Sequence, residues 1–68
     1  MKFTLEIELG NEAMQYGHDI AKALEQVGEL LKYRDAQDSQ SVENWDAYDR
    51  KGNVKDHNGN RVGKWAVA

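Results

Sequence analysis

The chain has 68 residues, nine Lys and Arg against twelve Asp and Glu, a formal charge of -3 and no cysteine. So short a chain makes one domain, 1–68, with a core too small to surround a large catalytic cleft, and disulfides and thiolate-bound zinc are both excluded. Met1-Lys2 leads directly into alternating residues, and no apolar run is long enough for a signal peptide or a membrane span, so a cytoplasmic protein with no membrane partner is expected.

"KFTLEIEL", Lys2 to Leu9, places Phe3, Leu5, Ile7 and Leu9 on one side and Lys2, Thr4, Glu6 and Glu8 on the other. Period two with one apolar side predicts a strand over 2–9 with one buried face. Gly10 and Asn11 break it. Asn11 suits an N-cap, because its side-chain oxygen accepts from the free amides of a first turn, and Glu12 suits the positive end of a helix dipole. Ala13, Gly17, Ile20, Leu24, Val27 and Leu31 then recur at spacings of three and four, which predicts an amphipathic helix over 11–33. Gly17, Ala21 and Gly28 lie on or beside this stripe. Glycine in a helix costs about 1 kcal/mol relative to alanine, so the two glycines are expected to mark the close approach of a backbone or a large ring, with Trp65 the candidate ring. Tyr16, Ala23 and Leu30 form a second line, read either as the flank of a broad core face or as a homodimer contact.

"RDAQDSQSVENWDAYD", Arg34 to Asp49, has no sustained period and is read as a long acidic connecting loop over 34–50. Loops of this length in a small domain are uncommon and often functional. Val42, Trp45 and Tyr48 are three apart, as on one short helical turn, with Ser39 or Ser41 available as its cap. Two readings follow. Trp45 and Tyr48, among Glu43, Asp46 and Asp49, form a recognition surface, since aromatics are enriched at binding hot spots; or both rings fold back as a lid over the core.

"VKDHNGNRVGKWAV", Val54 to Val67, contains Asn58-Gly59, a strong hairpin signal because both residues tolerate the positive φ of a type I′ turn. A two-residue loop sets Asp56 opposite Arg61, Val54 opposite Gly63 and Gly52 opposite Trp65, with strands over 52–57 and 60–67. One face then carries Val54, Gly63, Trp65 and Val67. The other carries Asn53, Lys55, His57, Asn60, Val62 and Lys64. Gly63 is expected to leave room beside Trp65 for the helix. The prediction is an α+β domain of β-α-β-β order: a three-stranded antiparallel sheet, order 1-3-2, with one long helix on one face. Its expected core is Phe3, Leu5, Ile7, Leu9, Ile20, Leu24, Val27, Leu31, Val54, Trp65 and Val67. The other sheet face stays polar, with Thr4, Glu6 and Glu8 beside Lys55 and Lys64.

Few residues suggest chemistry. Asp56, Asn58 and Asn60 have the spacing of calcium ligands, but a calcium loop needs glycine at its sixth position and a bidentate glutamate at its twelfth, where this chain has Arg61 and Val67. His18 and His57 have no metal-ligand spacing. Ser39 and Ser41 have no basic partner to activate them. No enzyme, metal or cofactor is expected. Charge is divided along the chain: residues 1–49 hold eleven acids against four bases, and residues 50–68 hold five bases against one acid. The two ends either attract one another or present a charged face to a partner. Lys55, Arg61 and Lys64 on the hairpin raise the alternative of a nucleic-acid-binding β-ribbon, against which stands the acidic overall balance.

The "MKFTLEIELGNEAM" start, Met1 to Met14, and the "DxNGNxVGxW" phrase formed by Asp56, Asn58, Gly59, Asn60, Val62, Gly63 and Trp65 resemble short proteins encoded by bacteriophages and prophages. The acidic middle is longer here than in that group. The resemblance implies no catalytic residues; it implies a setting, the host cytoplasm, in which small acidic proteins bind a host protein. The expected function is accordingly a non-enzymatic protein-binding module, an inhibitor or adaptor of a host protein, acting through Trp45, Tyr48, Glu43 and Asp46. The alternatives are the nucleic-acid ribbon and a homodimeric structural module joined through Tyr16, Ala23 and Leu30.

Overall fold

The computed structural model describes residues 1–38 and 41–68. The elements are β1 (Phe3–Ile7), α1 (Gly17–Asp38), a short 3-10 turn (Val42–Asn44), β2 (Lys51–Lys55) and β3 (Arg61–Val67). The sheet is antiparallel with order β1-β3-β2, as the alternation and the hairpin predict. Trp65 lies in the central strand between Leu5 and Gly52 and is 1% exposed. Phe3 stacks on its ring at 5.9 Å, and the Arg34 guanidinium lies 5.1 Å from the ring centre.

The helix starts and ends later than its apolar stripe suggests. Asn11 caps a separate turn: its side-chain oxygen accepts from the Ala13 N–H at 2.8 Å, and its carbonyl from the Met14 N–H at 3.1 Å. That turn tucks Ala13 and Met14 into the core. Asp19 serves the true helix start, accepting from the N–H groups of Gln15 and Tyr16 at 3.1 and 3.0 Å. At the far end no Gly or Pro interrupts Arg34 to Asp38, so the helix continues into the stretch expected to be loop. Arg34 anchors that last part by donating to the Asp49 carbonyl and, at 3.5 Å, to that of Lys51.

The buried helix face is Ala23 and Val27, flanked by the half-buried Ile20, Leu30 and Leu31. Leu24 is 47% exposed, not core. At 3.6 residues per turn this is a rotation of roughly 40° from the expected stripe toward the second line. Ala23 is therefore buried inside the domain and Leu30 half-buried against its core, so of the residues expected at a dimer contact, Tyr16, Ala23 and Leu30, Tyr16 alone is exposed. The side of α1 holding Gln26 faces β2, where Gln26 accepts from the Lys55 N–H at 3.3 Å. The helix thus leans toward β2 and leaves the β1 side of the sheet less covered. Phe3 and Leu9, also expected in the core, are exposed for the same reason.

The glycine expectations shift as well. An added Cβ at Gly17 or Gly28 would meet nothing within 4 Å. The close approaches are in the sheet: a Cβ on Gly52 would strike Trp65 Nε1 at 2.5 Å, and one on Gly63 would collide with the Glu6 backbone of β1. Gly63 makes room for a neighbouring strand, not for the helix.

The hairpin has a three-residue loop. The Asp56 N–H donates to the Asn60 carbonyl at 2.9 Å, the Gly59 N–H donates to the Asp56 carbonyl at 3.0 Å, and Gly59 takes φ of 84°. Asp56 Oδ1 accepts from the N–H groups of Asn58 and Asn60, each at 2.9 Å. Such a loop shifts the register by one at the tip. A bulge after Val54 restores it, so Lys55 opposes Arg61 while Val54 still opposes Gly63. Val62 is the extra residue and turns into the core instead of lying on the outer face. Asp56 is buried in its own turn and not paired with Arg61.

Candidate functional site

The segment after Gln40 is built by local bonds. Ser41 precedes the 3-10 turn without a side-chain capping bond; Ser39 lies outside the described residues. Asp46 Oδ1 accepts from the N–H groups of Tyr48 at 3.0 Å and Asp49 at 3.1 Å, an arrangement that holds the chain in a turn. Arg50 donates from its guanidinium to the Glu43 carbonyl. Trp45, the first residue of the expected recognition surface, is 4% exposed. Its ring closes the domain as the lid reading predicts, and it is unavailable as an exposed anchor. Tyr48 is 82% exposed, so the two aromatics take opposite roles. Glu43 and Asp46 are exposed, and Asp46 is engaged in shaping the turn.

Tyr48 stands at the border of the sheet face opposite the helix. There it helps line an open depression of about 710 Å³ with Lys51, Asn53, Arg61, Lys64 and Glu6. The strand register places Glu6, Lys64 and Asn53 side by side, with Thr4, Ala66 and Lys51 in the next row. Among the described residues Lys51, Arg61 and Lys64 form no ion pair within 4.0 Å. The acidic first strand thus lies beside the basic hairpin, with Glu6 opposite Lys64, but three cations remain open to a partner. Of the proposed nucleic-acid residues, Arg61 and Lys64 share this face. Lys55 lines a different groove, between hairpin and helix. Lys51 and Asn53 complete the face; the alternation of the hairpin already set Asn53 there, whereas Lys51 lay one residue before the strand expected over 52–57 and joins the face because β2 begins at Lys51.

A second depression, of about 350 Å³ and mostly apolar, runs between β1 and the last turns of α1, lined by Met1, Phe3, Leu31, Val42, Trp45 and Val67. A third feature is the start of α1. Tyr16 and His18 stack at 5.6 Å, and His18 Nε2 lies 3.4 Å from Asp19. The Tyr16 N–H is the main cause holding the Asp19 carboxyl below the ordinary aspartate range; shielding from water opposes it, and the Gln15 N–H, His18 and His57 reinforce it. Among the described residues no three His, Cys, Asp or Glu side chains converge as a metal site, and no helix is long and apolar enough to cross a membrane. Comparison with protein-family models, curated proteins and solved structures finds no match.

Proposed function

We propose that the chain is a non-enzymatic protein-binding module that engages an acidic surface on its partner through the open face of the sheet, with Tyr48 as the anchor. The observation that carries this reading is an exposed aromatic ring, on a backbone held by the Asp46 turn, beside three unpaired cations on a face that no other part of the described chain covers. Tyrosine and arginine are enriched at binding hot spots, where a rigid ring buries area at low entropic cost. The flanking charges steer association with a partner of opposite sign. In a phage-derived setting, such as the terminal motifs suggest, the partner is a host protein. The test is affinity capture from the host cell followed by quantitative comparison of the native chain with Tyr48→Ala and Lys64→Glu. Loss of the same captured protein from both variants, with unchanged melting, is expected. Undiminished capture by both moves the contact elsewhere.

A second reading has one observation in its favour: the same face joins Tyr48 to Lys51, Arg61 and Lys64, as a single-stranded nucleic-acid platform joins stacking to charge. Anisotropy titration with a labelled single-stranded oligonucleotide distinguishes it. Saturable binding that weakens steeply with added salt would favour nucleic acid over protein.

A further inference from the structure

We infer that a second copy of this chain covers the β1 edge, in a two-fold dimer whose β1 strands pair antiparallel about Leu5. The argument starts from the backbone. Lys2 exchanges both its bonds with Ala68, and the Glu8 N–H donates to the Val62 carbonyl. By the alternation of an antiparallel ladder, Lys2, Thr4, Glu6 and Glu8 point their backbone groups into the sheet, toward β3. Phe3, Leu5 and Ile7 therefore direct their N–H and C=O groups outward, and among the described residues these groups have no partner. Edges of this kind are normally blunted by proline, an inward charge or a bulge; β1, "FTLEI", has none of these.

Only one register matches this edge to itself along its whole length. With Leu5 opposite Leu5 of the second copy, Phe3 faces Ile7 and every outward backbone group of β1 gains a partner. Thr4 then faces Glu6, and Lys2 faces Glu8 of the second copy, which gives two opposite-charge pairs across the symmetry axis. The charged pairs fall at the narrow, non-hydrogen-bonded positions, where side chains approach most closely. Sliding by two residues one way sets Glu6 against its own copy; sliding the other way leaves Ile7 against Met1, beyond the strand. Sliding by one sends the apolar residues to the wrong face.

The apolar surface agrees with this placement. Phe3 is 47% exposed although its alternation marks it as inward, and it lines the apolar depression with Met1 and Leu31. Leu24 lies two turns before Leu31 on the same flank of α1 and is equally exposed. A two-fold pairing would bring both copies' flanks together over one extended six-stranded sheet. The pairing is isologous, so it uses both edges and closes at two chains. Thr4 and Glu6 border both surfaces, but the pairing uses neither Tyr48 nor the cations of that face, and its failure leaves that reading untouched.

Sedimentation equilibrium of the full chain over a range of concentrations is expected to show a monomer–dimer equilibrium. Glu8→Lys alone and Lys2→Glu alone should each weaken it about tenfold, since each turns two attractive rim pairs repulsive. The double exchange should restore it. The chain has no cysteine, which permits a direct register test: under mild oxidation a mixture of Thr4→Cys and Glu6→Cys chains should cross-link to the mixed dimer faster than either chain to itself, because the paired Cα atoms lie about 4.5 Å apart. A monomer mass at all concentrations would overturn the inference, whatever extended peptide the edge then accepts. So would a dimer indifferent to both charge reversals, or cross-linking with no preference for the mixed pair.

Discussion

The Trp65 indole is the residue on which the domain closes. It is flanked by Phe3 and Arg34, and Gly52 leaves the space its Nε1 side occupies. Truncating a large buried aromatic costs about 3–5 kcal/mol, comparable with the whole stability of a domain this small. Trp65→Ala is therefore expected to unfold the chain or bring its urea midpoint close to zero denaturant; an unchanged midpoint would refute the packing described. Gly28 represents the opposite case. It lies within α1, where an added Cβ meets no other part of the described chain within 4 Å beyond its own helix turn, so Gly28→Ala should raise stability by about 0.5–1 kcal/mol by removing the glycine penalty of a helix interior. A fall in the thermal midpoint would show that the space is needed by a neighbour, as the sequence alone suggests.

At the scale of elements, three boundaries are set by a polar side chain bonded to the backbone. Asn11 and Asp19 divide the stretch after β1 into a turn and a helix, and Asp56 fixes the hairpin loop. Asp19 carries a testable pH dependence. Its carboxyl is held below the ordinary aspartate range in the folded chain. Its contribution is therefore complete above the unfolded value and is lost as pH falls through the lower, folded value. Stability measured by urea melts should decline through the acid range, and Asp19→Asn should make that decline shallower. An equal slope in the two proteins would remove Asp19 from the acid response. The helix ends were only partly legible for the same reason: Asn11 is a good cap wherever it occurs, and the choice between Asn11 and Asp19 depends on where the turn can bury Met14.

At the scale of the whole molecule, the segment from Val42 to Arg50 holds one buried ring and one exposed ring, separable by mutation. Trp45→Ala should melt early, because the ring lies within the fold. Tyr48→Ala should melt with the native chain, because the ring makes most of its contact with solvent. Comparing both melts on one instrument decides the assignment, and early melting of Tyr48→Ala would make that ring part of the lid. Sequence spacing could not separate them. Val42, Trp45 and Tyr48 fall three apart, yet the helical turn that would align them ends at Asn44, and the Asp46 turn directs Tyr48 outward.

What the sequence determined by itself is the class and the order of the sheet. Alternation in β1, the apolar period of α1 and the Asn-Gly turn each reflect a local preference, and antiparallel neighbours then follow from chain direction. Tertiary structure decided the rest. The rotation and lean of the helix depend on where Arg34, Gln26 and Met14 find partners on distant strands. The inward turn of Val62 depends on a bulge that corrects the loop's register. The open sides of the sheet have separate causes: the Tyr48 face is bare because α1 packs on the other side, and the β1 edge is bare because no further strand of the described chain lies beside it, which no local pattern encodes.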